Sequence, residues 1–248
     1  TLSGWAWRLP FLGGALLGTL AILMRRNLHR SQRFQEHHEA RDDTSPLLEA
    51  FTVDRRETFL ALAFAASYGV CYYIAFVYLP EWLAGQGLMA RHTALTISTA
   101  MMLIVIPAMP LAAVVGDRWL ARRTWIALAV LGLALAAWPL HWWMLTSGGS
   151  MTSVLVTHGV MFLLLAVPLG SGPALFAEMF PERDRLSGYS VAFNIGMGVF
   201  GGLTPMIATS LIAATGIVTA PAGYMAAAAL IAVVALAMTP DRSRSPLR

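Results

Sequence analysis

Two charged stretches carry most of the chemistry this sequence offers. Gly116-Asp117-Arg118-Trp119-Leu120-Ala121-Arg122-Arg123 and Glu178-Met179-Phe180-Pro181-Glu182-Arg183-Asp184-Arg185-Leu186-Ser187-Gly188 each place acids and arginines between long apolar runs. A charged turn between such runs stays at a membrane interface, because burying it in lipid is expensive. There Asp117 can pair with an arginine or with the positive end of a helix. A pair that forms in only one conformation biases a two-state equilibrium. This is ionic switching chemistry and involves no covalent step. Polar side chains inside the apolar runs are the second group: Ser67, Tyr68, Cys71, Tyr72 and Tyr73, then Thr157 and His158, then Asn194. Ser67/Cys71 and Tyr68/Tyr72 are i,i+4 pairs, so each pair shares a helix face. Tyrosine rings can hold an ammonium by cation–π contact, or donate hydroxyls to a carboxylate; interhelical packing is the plainer reading. His158 can relay a proton near neutral pH, or can simply pack. Asn194 suits a buried hydrogen-bonding position, as substrate contact or as interhelical glue.

Other chemistries are excluded by what is missing. All seventeen basic residues are Arg, so no lysine exists for a Schiff base or a phosphate loop. The single cysteine, Cys71, excludes an internal disulfide and any multi-cysteine metal site. His29, His37 and His38 lie together only in a solvated polar stretch. No nucleophile–base motif is visible. The expectation is a protein that is not an enzyme, with no catalytic residue, no metal and no cofactor.

The elements that must position these residues are apolar helices. Of 248 residues 57% are apolar and 12% charged, with a mean hydropathy of +0.64. A soluble domain carries about 25% charged residues. A helix crossing about 30 Å of hydrocarbon needs about 20 mostly apolar residues. Seven runs qualify: Trp5–Met24, Thr58–Pro80, Thr93–Val115, Thr124–Leu145, Met151–Phe176, Leu186–Thr215 and Ala220–Met238. The sixth contains Pro205, which predicts a broken or tilted outer end. Gly14/Gly18 and Gly198/Gly202 fit the spacing of close helix packing. Fifteen of the seventeen arginines fall in alternate loops on one side; only Arg8 and Arg91 fall on the other. The positive-inside rule assigns the rich side, with the last terminus, to the cytoplasm. The net charge of +4 is therefore a membrane signature, and no nucleic-acid partner is expected. Trp5, Trp7, Trp82, Trp138, Trp142 and Trp143 fall at or near the outer ends, and Trp119 and Trp125 at an inner end, as aromatic belts do. The polar segment Arg25–Glu57 has balanced charge, and Ser45-Pro46 followed by Leu47, Leu48 and Phe51 reads as a short helix on the inner surface.

Taken together with Phe193-Asn194-Ile195-Gly196 and Gly201-Gly202-Leu203-Thr204-Pro205-Met206-Ile207-Ala208-Thr209, the charged stretches resemble the major facilitator superfamily of secondary transporters. Within it the chain looks like the metabolite:proton symporter family of proline/betaine, α-ketoglutarate, citrate and shikimate permeases. The opening Gly4-Trp5-Ala6-Trp7-Arg8-Leu9-Pro10-Phe11 is similar to that family's sixth-helix entry, and Tyr72-Tyr73 with Tyr78-Leu79-Pro80 to its seventh helix. The resemblance implies an all-α polytopic bundle, the C-terminal half of a twelve-helix transporter. Its parts would be helix six at 1–24, a cytoplasmic central loop at 25–57, a six-helix domain at 58–239 and a cytoplasmic tail at 240–248. The partners implied are a small carboxylate or zwitterion, protons, the lipid bilayer and a missing N-terminal half. The location implied is a plasma membrane, with a bacterial inner membrane favoured.

By the same resemblance, helices seven and ten line the cavity; the candidates are Tyr68, Tyr72 and Tyr73 in helix seven, His158 in helix ten and Asn194 in helix eleven. Asp117, Arg118, Arg122, Arg123, Glu178 and Arg185 are candidates for an inner gate, in which Glu178 pairs with Arg122, Arg123 or Arg185. Positive-inside anchoring is the plainer role for the arginines. The family's Asp-Arg-x-Gly-Arg-Arg loop is here one residue longer and lacks its Gly, so a glycine-built tight turn is not expected. A sugar or drug transporter of the same superfamily is one alternative reading. A non-transporting membrane scaffold is another, and a membrane-embedded enzyme a third.

Overall fold

The computed structural model describes residues 4–5, 8–26, 55–181 and 185–241. The expected surface helix near Ser45-Pro46, the three histidines of the polar stretch, and Arg183 lie outside the described residues, as do Arg242, Arg244 and Arg248. The chain divides into two units, Thr1–Thr44 and Ser45–Arg248. The first contains helix α1 (Leu9–Arg26), with Pro10 in its first turn, where no N–H is needed. Phe11–Met24 is its described apolar stretch. Of the first expected span, Trp5–Met24, the helix is described from Leu9 onward.

All regular structure described in the second unit is helical. Its first span joins α2 (Arg55–Tyr72), a π-helical stretch Tyr73–Tyr78 and α3 (Leu79–Gly85). Then follow α4 (Arg91–Arg118), α5 (Arg122–Thr146) and α6 (Met151–Met179). The fifth span joins α7 (Arg185–Phe193), a second π-helical stretch Asn194–Gly201 and α8 (Gly202–Thr215). The last is α9 (Ala220–Met238). Among the described residues of this unit six helices are long and apolar enough to cross a membrane, as a multi-pass membrane protein requires.

Both π stretches lie just before a proline. A proline ring clashes with the carbonyl four residues earlier. For Pro80 that carbonyl belongs to Phe76 and for Pro205 to Gly201, each inside a π stretch. The wider turn relieves the clash: the Leu79 N–H donates five residues back, to Ile74. Pro205 therefore does not break the outer end of its span. The helix runs on to Thr215, and its irregularity lies on the N-terminal side of the proline.

The π geometry also decides which glycines pack. Gly198 and Gly202 are spaced for an α-helical contact, yet a Cβ at either would meet nothing within 4 Å. Gly196 and Gly201, five apart as a π turn requires, make the contact. A Cβ on Gly196 would lie 2.5 Å from Ala65 Cβ and 2.6 Å from Ala66 N; one on Gly201 would lie 3.0 Å from the Tyr73 ring and 3.2 Å from Gly69 Cα. The first and fifth spans therefore cross backbone to backbone. In lipid, where apolar burial does not drive helices together, such close contact is a main source of cohesion. The last span applies the same principle with alanine, burying Ala222, Ala229 and Ala232 on one face with Met225 and Leu236.

Trp82 and Trp125 are packing residues rather than belt residues. Trp82 is 2% exposed, its Nε1–H donates to the Val218 carbonyl at 2.9 Å, and its ring meets the buried His141 at 5.1 Å. Trp5, Trp119, Trp138, Trp142 and Trp143 are exposed, as a belt needs. A Trp82→Phe substitution is expected to remove that hydrogen bond at a cost of about 1 kcal/mol. The check is a thermal unfolding midpoint in detergent, expected to fall by about 2–4 °C. At the same end, Arg91 grips Glu81 through two nitrogens at 2.7 and 2.9 Å. Nearby, Gly149 at φ 71° turns the α5–α6 loop so tightly against Leu88 that a Cβ would lie 2.6 Å from its carbonyl oxygen.

Candidate functional site

Spans one, three and five begin, and spans two, four and six end, at the arginine-rich end of the bundle. The helix carbonyls left unpaired there need donors. Arginine supplies them, with five N–H groups in a rigid fork and a charge that suits the negative end of a helix. Arg56, in the first turn of α2, donates to the Met238 carbonyl at 3.0 Å, and Arg123, in the first turn of α5, to the Thr239 carbonyl at 2.5 Å. Arg185, which opens α7, donates to the Ala177 carbonyl near the end of α6 at 2.8 Å. Each arginine sits at the start of one helix and caps the end of another.

Arg122 has a different role. It pairs with Asp117 at 2.6 Å, at the end of α4, and with Glu178, at the end of α6. Its side chain is 18% exposed and that of Glu178 8%, whereas Asp117 is 52% exposed. One guanidinium thus joins the ends of two helices to the start of a third. The α4–α5 loop that makes this possible is only Trp119 to Ala121 and has no residue at positive φ, so the turn forms without the Gly. Gly116 lets the three helices close: a Cβ there would lie 2.8 Å from the Trp125 ring. Trp125 is in turn held by its N–H bond to the Ala112 carbonyl at 2.9 Å.

Of the six residues expected at an inner gate, Asp117, Arg122 and Glu178 form one ionic cluster. Arg123 and Arg185 are close by but bind backbone carbonyls, and Glu178 selects Arg122 from its three candidate partners. Arg118 is exposed at the end of α4.

Deeper in the bundle, aromatic rings form a ladder. Phe64 meets Tyr68 at 6.1 Å, Tyr68 meets Tyr72 at 6.4 Å, and Tyr72 meets Phe76 at 4.8 Å, all along the first span. Phe76 meets Phe162 of α6 at 4.1 Å, and Phe162 meets His158 at 5.5 Å. At the other end Phe64 meets Phe176 at 5.1 Å, which stacks on Tyr189 of α7 at 5.0 Å. Tyr73 branches from Tyr72 at 5.7 Å. The ladder brings Tyr68, Tyr72, Tyr73 and His158 into one connected structure. Tyr68 is buried, while Tyr72, Tyr73 and Tyr189 are half-buried. His158 is fully buried; its Nδ1 is 2.9 Å from the Val154 carbonyl and its Nε2 has no hydrogen-bond partner. Asn194 is not the buried residue expected. It is exposed and donates to the Ser190 carbonyl of its own helix at 2.7 Å. It opens the second π stretch just as Tyr73 opens the first, and it lies two residues from the buried Ala192 and Gly196, on the opposite side of the helix.

A family model described as the Major Facilitator Superfamily matches residues 1–171 of the chain. The chain belongs to the Major Facilitator Superfamily. Within the superfamily its relatives match the metabolite:proton symporter family. It is 30% identical to a citrate-proton symporter of Klebsiella pneumoniae, over 100% of this chain and 55% of that protein. It is 25% identical to an ectoine/proline transporter of Corynebacterium glutamicum, over 99% of this chain and 50% of that protein. It is 26% identical to a putative proline/betaine transporter of Staphylococcus aureus, over 93% of this chain and 49% of that protein. The chain spans about half the length of these curated relatives. No solved structure gives a significant match. Its superfamily relatives are transporters rather than enzymes.

Several residues of this superfamily member escaped the sequence reading. Tyr189, Phe176, Phe162, Phe76 and Phe64 complete the ladder, and their signal was present: 64, 68, 72 and 76, 158 and 162, 176 and 180, and 189 and 193 are all i,i+4 aromatic positions. The capping role of Arg56 had no such signal, because its partner is a backbone carbonyl 182 residues away.

Proposed function

We propose that the chain is the C-terminal part of a proton-coupled symporter for a small carboxylate or zwitterion. In this reading a preceding segment supplies helices one to five, and α1 is helix six. The observation that carries it is likeness over the whole chain to a citrate-proton symporter and to proline and betaine transporters. The arginine-rich end faces the cytoplasm, the C-terminus with it, in a bacterial inner membrane. Alternating access then works by rocking one six-helix half against the other around a site at mid-membrane. Tyr72, Tyr73 and Asn194 face that site, beside the first and fifth spans that cross through glycine. Asp117, Arg122 and Glu178 act as the inner gate. They tie the ends of α4 and α6 while the cytoplasmic side is closed, and their separation accompanies its opening.

Among the described residues every acid lies near a helix end: Glu57, Glu81, Asp117, Glu178 and Asp241. None stands at mid-membrane to carry a coupling proton. We assign that carboxylate to the preceding segment, so the coupled machine needs both halves.

The test is uptake by cells expressing the complete protein, with labelled citrate, proline and glycine betaine. One of the three is expected to accumulate above the empty-vector level. Tyr72→Ala is expected to raise its KM by about tenfold, in keeping with the loss of one cation–π or charged hydrogen-bond contact. No accumulation of any of the three refutes this substrate class.

A further inference from the structure

Arg122 and Arg123 are neighbours in the first turn of α5, and they bind in different directions. Arg122 reaches the acids at the ends of α4 and α6, and Arg123 the last carbonyl of the α9 cap. Arg56 binds the adjacent Met238 carbonyl from the first turn of α2. The end of the last span is therefore held by two arginines from two other helices. The Thr239 hydroxyl closes the same turn by donating to the Ala235 carbonyl at 2.8 Å. A small recess lined by Glu57, Leu60, Glu178, Met179, Thr239 and Pro240 joins this clamp to the gate carboxylate.

We infer that Arg56 and Arg123 are positioning residues of the inner gate. They fix the first turn of α5 against the end of α9 and so hold Arg122 between Asp117 and Glu178. The geometric reason is short range. Adjacent residues in one helical turn cannot move independently, so anchoring Arg123 to a backbone carbonyl limits where the Arg122 guanidinium can go. A carbonyl at a helix end is a suitable anchor, since it carries partial negative charge and does not titrate. The inference rests on the reading of Asp117, Arg122 and Glu178 as a gate.

The experiment uses the complete transporter, cysteine-free apart from Leu60→Cys in the recess. It measures labelling of that cysteine by a membrane-impermeant thiol reagent applied from the cytoplasmic side of inverted vesicles. Glu178→Gln is expected to raise the labelling rate about tenfold, since a charged hydrogen bond is lost. Arg123→Gln and Arg56→Gln are each expected to raise it about threefold to tenfold, and Arg123→Lys, which still donates, by less than Arg123→Gln. Arg123→Gln combined with Glu178→Gln is expected to give less than the product of the two single effects, because both act through Arg122. Arg123→Lys and Arg56→Gln keep the test decisive if Arg123→Gln fails to fold. Wild-type labelling in the arginine variants, with a raised rate in Glu178→Gln, overturns the positioning role and leaves the gate standing. Multiplicative effects in the double variant also overturn it. A wild-type rate in Glu178→Gln overturns the gate reading and this inference with it.

Discussion

Charge reversal at Glu178 in the complete transporter is expected to cut uptake by about tenfold to a hundredfold. Glu178→Arg removes the less exposed of the two carboxylates on Arg122 and puts a second cation beside it. A charged hydrogen bond contributes about 1.5–3 kcal/mol, and the Arg122–Glu178 pair is well enough shielded that screening does not reduce it to surface values. In the proposed cycle the loss falls on the closed form of the arginine-rich end. The equilibrium shifts toward the cytoplasm-open state, and external substrate meets fewer competent molecules. Apparent KM for uptake should therefore rise while the amount of folded protein in the membrane stays near wild type. Uptake kinetics alongside quantitative immunoblotting give both quantities. Unchanged uptake in Glu178→Arg would mean that the pair is a surface contact with no part in gating.

The second large effect is expected at Gly196. A Cβ there would lie 2.5 Å from Ala65 Cβ and 2.6 Å from the Ala66 nitrogen. The obstacle is largely backbone, which cannot rotate out of the way, so Gly196→Ala must push the first and fifth spans apart. Overpacking of this kind costs about 1–3 kcal/mol, and the displaced spans carry Tyr72, Tyr73 and Asn194. The thermal midpoint in detergent should drop by about 2–10 °C. Gly198→Ala is the control. It lies two residues away and meets nothing within 4 Å, and alanine favours helix over glycine by about 1 kcal/mol. Its midpoint should stay the same or rise. Equal losses in the two variants would contradict the π-helical register of this stretch.

Much of the fold was legible because lipid imposes simple rules. Backbone groups must pair within each helix, so apolar runs of sufficient length mark the long spans. In the run before Arg25 the described helix begins at Leu9, one residue before Pro10. The arginine distribution marked one end of the bundle, and there Asp117, Arg122 and Glu178 do meet. What stayed hidden depends on geometry that spacing does not encode. The glycine rule of four residues failed at Gly198/Gly202 because the helix there is wound with a π turn, which moves the contact to Gly196/Gly201. Trp82 looked like a membrane-belt residue by position, but its N–H partner, Val218, lies on a distant loop and draws it inward. Arg56 and Arg123 looked like topology signals; that they also cap another helix is a three-dimensional fact, since a carbonyl leaves no mark in a sequence. Asn194 was expected inside because an amide in an apolar run is costly to expose to lipid. In the fold it sits on an exposed face of the bundle, which in the proposed whole looks toward the other half.

Proton coupling is the central claim, and one measurement reaches it most directly. The complete protein is reconstituted in proteoliposomes, and uptake of its labelled substrate is followed with and without an imposed pH gradient, acid outside. The account predicts accumulation above the external concentration only with the gradient, and collapse of that accumulation when a protonophore is added. Uptake that proceeds equally with and without the gradient would contradict it.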